Sequence, residues 1–513
     1  MARTGLLALL LWCGIAIGVA KAADDPGASL VFYDAAGNQT LDPADPQNNS
    51  SYAHDSLLAI YDTLIRLDNR GNPSPGLAQS WTRNADLTEL TMKLRPGVVF
   101  HDGTRLTAAL VAQNFERSTA LGKRAGSGIA ETMALIASVT TVGDDTVKLT
   151  LKVPNGQIEA WMGGPSGMMI SPAGFADGAT GVGIKPIGAG PFRLKSFESN
   201  VRMVSVRNED YWGGSADRAA GFEHHYVPDG RARLNAVRSG QATLALLDSR
   251  QIPEAKGAGL MVQVTEKNAF WVMYFNIARA GLTDPRIRKA FMHAIDREAL
   301  TDALTFGSSR ATQQIFAASS PLNVRALDGA YAFDPAKSRT LLAEAGLKNG
   351  LDINLLILNN TEFRPLGEAL QSMLGEVGVR LKFDTVDVSQ FPQFYLPPQR
   401  GDMMLGRYGG RSEPVQMLFE LIGTGGPFSP GGAVSTEIDR LIAEARTMGV
   451  DNPKRAEVFR RLVDIASEQV SLVPIMTRSN VYAYKPGCIS NLEAYLPGGA
   501  DRFNDVRVGA KCK

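Results

Sequence analysis

A stretch in the second half of the chain constrains the fold most, because strands and helices alternate there with short connections. Asp334 followed by proline is typical of a helix start, since the carboxylate can cap the helix and proline fits its first turn. An apolar strand over 353–358, a helix that Thr361 can cap and a strand over 379–383 follow in order. This order implies a right-handed crossover and two parallel strands. The sequence therefore predicts an α/β domain whose ligand binds beyond the carboxyl ends of the strands.

The chain has 513 residues, which is more than one hydrophobic core usually serves, so two or three domains are expected. The stretch 181–271 marks the passage from one domain to the next. Within it, prolines fix φ in the segment 185–192 and we expect its glycines to adopt positive φ, which gives a rigid bent turn. An apolar strand over 272–276 follows. The two features suggest two lobes that close on a ligand, and an ordinary buried loop and strand is the alternative.

The first 22 residues predict an export signal. Arg3 supplies a basic start, residues 6–19 form an apolar run that is short for a membrane span, and Ala20-Lys21-Ala22 matches a cleavage site. Cleavage before Ala23 would release a mature chain outside the cytoplasm. The formal charge of +1 becomes −1 when the two basic residues of this leader are removed, so neither nucleic acid nor an anionic membrane is expected as a partner.

The cysteines agree with export. Cys13 would allow a lipoprotein leader, but the bulky Trp12 before it disfavours lipid attachment. Cys488 and Cys512 remain in the mature chain, and two thiols in an oxidising compartment are expected to form a disulfide. This bond would tie the C-terminal tail to a domain, and the alternative is two unpaired buried thiols.

Three further local patterns predict elements. Asp55 can cap a helix with one apolar face. Alternation over 90–95, a Pro-Gly turn and the apolar segment 98–100 predict a β-hairpin. Asp284 followed by proline predicts a helix start. The inward residues of that helix are Ile287, Phe291, Ala294 and Ile295, and the residues expected mostly outward are Arg286, Arg288 and Lys289.

No residue set predicts catalysis or a metal site. His101 lies beside Asp102 in a turn, but the sequence places no nucleophile or third group near them. His224 and His225 are neighbours on a strand and point to opposite faces. The motifs G-x-S-x-G and H-E-x-x-H, which a hydrolase would need, do not occur. The histidines weighed as metal ligands, none of which forms a pair at useful spacing, are His54, His101, His224 and His293.

Several segments, in one order along the chain, resemble motifs of a known family. They are Leu77-Ala78-Gln79-Ser80-Trp81, the run 94–103, Gly188-Ala189-Gly190-Pro191-Phe192, Tyr274-Phe275-Asn276 and the run 284–290. In this respect the chain is similar to the extracytoplasmic solute-binding proteins of bacterial ABC importers, family 5, which includes dipeptide, oligopeptide and nickel-binding members. The resemblance covers essentially the whole mature chain, and it makes His101 part of a scaffold turn.

The resemblance implies a periplasmic-binding-protein type II fold, with two α/β lobes, an extra subdomain and a ligand cleft between the lobes. Residues 23–268 would form lobe I with the subdomain, 269–480 lobe II, and 481–513 the return to lobe I with the tail. A monomer in the periplasm would capture a small solute by closure and deliver it to a membrane permease, with no cofactor and no chemistry on the solute. Service to a chemoreceptor is left open.

The loop 406–414 departs from the pattern of peptide-binding members. These typically have Gly-Trp-x-x-Asp here, and the aspartate holds the α-ammonium group of the peptide. In this chain the corresponding residues are Arg407 and Gly410, so this anchor is missing. Glu413, three residues on, is a candidate ligand-binding residue that could replace the anchor. Members with a Gly-Arg-x-x-Gly-Arg-x-Asp-Pro loop also exist, and the segment resembles them more closely, with Glu413 before proline.

The resemblance and the residue types together give the candidate ligand-binding residues. Arg407 and Arg411 carry planar forks suited to a carboxylate or phosphate, and the alternative is that one of them pairs with Glu413. The further candidates are Tyr408 beside the ligand, Phe270, Trp271 and Tyr274 as an apolar wall, and Gln39 and Thr40 from lobe I. We expect a peptide-like or carboxylate-bearing solute. A metal chelate held through its carboxylates, as in the nickel branch, is the runner-up, and a secreted hydrolase is disfavoured.

Overall fold

A computed structural model shows how these segments fold. The residues it describes are 27–45, 48, 51–122, 129–175, 178–214, 216–279, 281–316, 318, 320, 322–359, 362–387, 390, 394, 399–411, 413–432, 435–449, 451–493 and 502–512. The predicted leader 1–22 and the predicted cap Thr361 lie outside these residues. Within them, none of the helices has the length and apolar character needed to cross a membrane.

The strands and helices alternate along most of the chain. The strands are β1 Leu30–Asp34, β2 Ile65–Leu67, β3 Pro73–Pro75, β4 Ala78–Arg83, β5 Glu89–Leu94, β6 Ile136–Val142, β7 Thr146–Leu151, β8 Phe192–Glu198, β9 Arg202–Arg207, β10 Gly221–Tyr226, β11 Leu244–Leu247, β12 Met261–Phe275, β13 Leu351–Leu358, β14 Val379–Val386, β15 Met403–Tyr408, β16 Leu472–Tyr484, β17 Ile489–Ser490 and β18 Arg507–Val508. The α-helices are α1 Ser51–Ile60, α2 Ala108–Gly122, α3 Ala130–Leu135, α4 Ile158–Trp161, α5 Gly178–Ile184, α6 Gly230–Ser239, α7 Ile252–Gly257, α8 Pro285–Ala294, α9 Arg297–Thr305, α10 Pro335–Glu344, α11 Phe363–Glu376, α12 Pro414–Ile422, α13 Thr436–Arg446 and α14 Arg455–Gln469.

A ten-stranded sheet organises the described part of the chain, in the order β14-β13-β15-β12-β16-β11-β1-β10-β9-β8. The long antiparallel strands β12 and β16 lie at its middle and connect its two halves. Their register shifts between Glu266 and Phe270, near the boundary predicted between the lobes. The predicted parallel pair is confirmed, because β13 and β14 run side by side in parallel from Leu351 to Leu358.

Among the described residues, four hydrophobic cores of more than two residues form on this framework. One draws its buried residues from Phe270 to Met476. Two lie on the two faces of the sheet around β1 and β11, and one of these includes the C-terminal tail. The fourth draws its residues from Ala44 to Ala189 and packs on a four-stranded sheet of order β4-β5-β7-β6. We use the names lobe II, lobe I and extra subdomain for the parts of the chain around these cores, with the boundaries given above as our proposal.

The C-terminal tail is joined to lobe I as the sequence led us to expect. Cys488 and Cys512 form a disulfide with their Cα atoms 4.7 Å apart. Both residues are buried in the core of lobe I. The bond therefore closes a loop that holds β17 and β18 against this lobe.

Some local expectations are confirmed. Asp284 and Asp334 cap α8 and α10, because their carboxylates accept hydrogen bonds from the backbone nitrogens of Arg286 and Lys337. The predicted inward residues of α8 are all buried.

Others are wrong. The hairpin at 90–100 does not form, since β5 pairs with β4 and β7 instead. Asp55 lies inside α1 rather than at its start. Arg288 does not face outward; it is buried and donates to backbone carbonyls, among them that of Gln469.

The glycines of the 185–192 turn have a different role from the one predicted. Neither Gly188 nor Gly190 has a positive φ. A Cβ at either position would overlap the backbone carbonyl of Ile60 at the end of α1. The turn therefore needs glycine because two backbones approach closely. His101 holds this turn, with its backbone nitrogen on the Gly188 oxygen and Nε2 on the Gly190 oxygen.

Candidate functional site

The two lobes present the carboxyl ends of their parallel strands to each other. In lobe I, β11 and β12 are both antiparallel to β16, so they run in the same direction, toward lobe II. Strands β1 and β10 are parallel to β11. In lobe II, β15 is antiparallel to β12 and parallel to β13, so these strands run back toward lobe I. The loops that follow them face each other across a cleft, where α/β sheets bind ligands.

Arg411 follows β15 and belongs to a polar cluster on this edge of lobe II. Its Nε donates to Oε1 of Glu420 on α12 at 2.8 Å, and its Nη1 donates to the Gly410 carbonyl at 3.0 Å. The Tyr408 hydroxyl donates to the other oxygen of Glu420 at 2.8 Å. Within the described residues Nη2 of Arg411 has no hydrogen-bond partner, and about a third of the side chain is exposed. A carboxylate can therefore reach a guanidinium group whose orientation is already fixed.

Arg407 lies on the opposite face of β15. Tyr408 is paired with Phe270 across the ladder and Arg407 with Trp271, and neighbours along a strand point to opposite faces. The Arg407 guanidinium donates through Nη1 to Oε2 of Glu362 at 2.7 Å. The structure therefore does not bring the two predicted arginine forks together, and each has a different carboxylate partner.

Glu413 is engaged inside lobe II. It is buried, pairs with Arg455 and caps α12 by accepting from the backbone nitrogens of Val415 and Gln416. Burial raises the pKa of its carboxyl group, against the opposing effect of Arg455. The alternative in which a loop arginine pairs with Glu413 is therefore wrong, and so is the idea that this acid is free to replace the missing amine anchor.

The predicted apolar wall lies in the core of lobe II. Phe270 packs against Tyr408 with ring centroids 5.7 Å apart, and Tyr274 stacks on Phe428 at 5.3 Å. Trp271 meets the ring of Phe363 edge-on. Burial of Tyr408, followed by the charge of Glu420, raises the pKa of its phenol. Contact of these rings with a solute stays a prediction.

Lobe I contributes the loop after β1. Gln39 is exposed and Thr40 half-buried. The Asn48 amide donates to the Thr40 carbonyl at 3.0 Å, and the Ser199 hydroxyl donates to the Gln39 carbonyl at 2.9 Å. The backbone carbonyl of Asn38 accepts a hydrogen bond from the backbone nitrogen of Asn200, the residue after Ser199 in the turn between β8 and β9. The loop is thus held in place at the facing edge, while its contact with a solute stays a prediction.

His54 of α1, in lobe I, lies within the electrostatic influence of Arg411 of lobe II. Burial, and then the positive charge of Arg411, lowers the pKa of His54 to about 4. Glu131 of α3 also lies within the electrostatic influence of Arg411, although burial is what mainly raises the pKa of its carboxyl group. The positive charge of lobe II thus acts on a neutral imidazole of lobe I, a relation that the spacing of residues along the chain could not reveal.

A buried polar chain in lobe I has the residue types of a hydrolase triad. The Ser56 hydroxyl lies 2.9 Å from Nδ1 of His224, and Nε2 of His224 lies 3.1 Å from Asp34. Ser56 and His224 have no exposed surface, so no substrate reaches the hydroxyl. The Tyr226 hydroxyl continues the chain to Asn38 of the cleft loop. These contacts couple the cleft loop to the core, and sequence reasoning missed them because the partners are up to 190 residues apart.

Two other features of the described residues bear on where a ligand could bind. They contain no group of three or more His, Cys, Asp or Glu side chains that could hold a metal ion. A pocket of about 550 Å³ lies in lobe II, between α9 and the segment 309–333. None of the predicted ligand-binding residues lines that pocket.

Comparisons with known proteins agree with this architecture. A model of the "Bacterial extracellular solute-binding proteins, family 5 Middle" matches residues 72–429. The glutathione-binding protein GsiB of Pectobacterium atrosepticum is 26% identical over 355 residues, 68% of each chain.

The solved structure of DppA from Helicobacter pylori, an ABC transporter-associated periplasmic binding protein in complex with the peptide STSA, superposes with a TM-score of 0.79. It has 21% identity and covers 95% of this chain and 99% of its own. AgaA from A. tumefaciens R10, in complex with agropinic acid, has a TM-score of 0.78 and 23% identity, with 94% and 99% covered. The likeness to these two structures shows a shared fold.

Proposed function

Because the chain belongs to the family 5 bacterial extracellular solute-binding proteins, we propose that it is the periplasmic solute-binding component of an ABC importer. It captures a peptide-like or acidic small organic solute in the cleft and hands it to the permease as a monomer. One observation carries this proposal: the carboxyl edges of both lobes face each other across a cleft, and Arg411 lies on the edge that belongs to lobe II.

The charge at this edge supports a solute with an acidic group. Arg411 is oriented by Glu420 and by the carbonyl of Gly410, so little side-chain entropy is lost when it binds a carboxylate. His54 is neutral at physiological pH because its pKa is about 4. The site thus offers a fixed cation with an uncharged hydrogen-bonding partner on the other lobe.

The missing aspartate argues against a free peptide amine as the main anchor. Gly410 stands at its position, and Glu413 is occupied by Arg455. Glu420 is already matched by Arg411, Tyr408 and Gln416. A buried α-ammonium group would lack a dedicated counter-charge, which is costly. Relatives described as binding glutathione and agropinic acid are consistent with acid-bearing solutes.

The test starts from the mature protein, expressed with its leader and purified from its host. Mass spectrometry of what is released by denaturation should find an acidic solute, and a thermal-shift panel of peptides, opines, sugars and metal chelates should agree with it. A free-amine peptide with no further acidic group would overturn the assignment of solute class. Loss of binding on addition of a chelator would favour the metal-chelate alternative.

Variants locate the anchor. Replacing both Arg407 and Arg411 with alanine should abolish binding of the acidic solute, measured by calorimetry at a temperature where the variant is folded, because the buried Glu420 also loses its counter-charge. Arg411→Ala alone should account for most of the loss, because Arg407 is held by Glu362 on the other face of β15. Arg440→Ala, which removes an exposed arginine paired within α13, is the matched control. Wild-type affinity in the double variant would refute the role of the arginines.

A further inference from the structure

The extra subdomain touches lobe II at a place remote from the strands that connect the lobes. The contact joins the end of β4 and the segment before α4 of the subdomain to the end of α13 and the connection that follows it. The backbone nitrogen of Gly156 donates to the carbonyl of Arg446 at 2.8 Å. The chain passes between the lobes along β12 and β16, so connectivity does not require this contact.

Glycine makes the approach possible. A Cβ at Gly156 would overlap the backbone carbonyl of Met448, which has no side-chain freedom to move away. Gly156 does not have a positive φ, so its own backbone would accept alanine. A side chain at this position is therefore incompatible with the contact but compatible with the subdomain itself.

A charged pair completes the contact. Arg83 of β4 donates through Nη2 to Asp451 of lobe II at 2.8 Å, while its Nε lies 3.0 Å from the buried Glu159 of its own subdomain. Asp451 is largely exposed on its side chain. The electrostatic attraction across the interface is thus available when the two parts meet.

The contact also carries a cost. Nη1 of Arg83 and Oε2 of Glu159 are buried without a hydrogen-bond partner among the described residues. Nη1 packs against Gly449 of lobe II. Separation of the two parts would return Nη1 to water and relieve part of the desolvation penalty. The favourable and unfavourable terms oppose each other, so the contact can open and close.

We propose that this contact, formed by Arg83, Gly156 and Glu159 with Arg446, Met448 and Asp451, is a latch that sets the affinity of the protein by stabilising lobe closure. None of these residues is among the ligand-binding candidates; they act as positioning residues for the cleft. A latch made only when the lobes close shifts the equilibrium between open and closed states in proportion to its own free energy. The inference rests on the closure mechanism but not on the identity of the solute.

Distances between two spin labels test the proposal. The labels go on cysteines introduced at Val142 of the subdomain and Glu468 of lobe II, both exposed, while the cysteines of the mature chain are joined in the disulfide. Pulsed electron resonance is recorded on the protein as purified and after unfolding and refolding without its solute. Wild type should show the distance of the latched structure in at least one sample. Gly156→Ala should lower that population about tenfold, within the usual range of coupling between sites.

A matched control and a second variant keep the test decisive. Gly164 lies in the same subdomain, and a Cβ there would meet nothing closer than 3.7 Å, so Gly164→Ala should behave as wild type. Asp451→Lys is a surface change that places a like charge against Arg83, and it should lower the latched population about threefold. Circular dichroism checks that each variant folds. A wild-type distribution in both Gly156→Ala and Asp451→Lys, or no latched distance in wild type, would overturn the latch. None of these readings changes if the solute class is wrong.

Discussion

Replacing His101 with glutamine should make the protein less sensitive to acid. In the folded chain, burial lowers the pKa of His101 to about 4, from 6.5 in its ordinary state, although the carbonyl of Gly190 and the charge of Asp102 oppose the change. The unfolded chain therefore takes up a proton at His101 as the pH falls below 6.5, and the folded chain does not until about pH 4. The stability that His101 contributes is complete above pH 6.5 and is lost toward pH 4.

The size of the effect follows from the same two values. Between pH values above 6.5 and below 4, the pKa difference of His101 changes the free energy of unfolding by about 3 kcal/mol. About 2 kcal/mol of this is lost between pH 7 and pH 5. His101 follows Phe100 of the extra-subdomain core, and for a cooperative unit of that size the loss lowers the melting temperature by about 4–8 °C. The pKa of His54 is also lowered in the folded chain, so the total loss of stability of the wild-type protein over this pH range should be larger.

Differential scanning calorimetry at pH 7 and pH 5 measures the prediction. In His101→Gln, the fall in melting temperature between the two pH values should be about 4–8 °C smaller than in wild type. Asn208→Ala is the control, because it removes the other side-chain donor to the Gly190 carbonyl without removing a titrating group. The reasoning fails if His101→Gln and wild type show the same fall.

Three further expectations concern backbone and cross-links. Gly188→Ala should reduce stability by about 2 kcal/mol or more in urea unfolding, because the new methyl group overlaps the Ile60 carbonyl; an unchanged midpoint would contradict the close approach. Reducing the bond between Cys488 and Cys512, which are 24 residues apart, should lower stability by about 3 kcal/mol, as a melt with and without reductant would show, and equal melts would rule out a structural role. Gly410→Asp should not restore binding of free peptides, tested by calorimetry with a dipeptide, because the backbone there has a φ of +77° and would hold the new side chain in a strained conformation.

Features fixed by short stretches of sequence could be predicted. The caps Asp284 and Asp334 bond to backbone nitrogens two and three residues away, so the chain around them determines their role. The parallel pair of β13 and β14 follows from the short helix-containing connection. The hairpin after β5 was wrong because its partners are set by the whole subdomain: β7 begins about fifty residues later and competes successfully with the adjacent segment.

The candidate site shows the same limit. The loop around Arg411 could be located from the strand before it and from the family pattern. The partners of its charged residues could not: Arg455, which pairs with Glu413, is 42 residues away, and His54 comes from the other lobe. Three charges in four residues usually mark a surface, which predicts an outward Arg288, yet the backbone carbonyls at the end of α14 satisfy its guanidinium inside the protein.

The two long strands at the middle of the sheet have a consequence for how the protein unfolds. β12 and β16 pair with each other on both sides of the register shift and supply strands to both lobes. If lobe I lost its structure, lobe II would lose the continuation of two strands that its own sheet depends on, and the reverse also holds. The two lobes are therefore expected to melt as one cooperative unit, unlike domains joined by a single flexible linker. The extra subdomain has its own sheet and core, so it is the part that can melt independently.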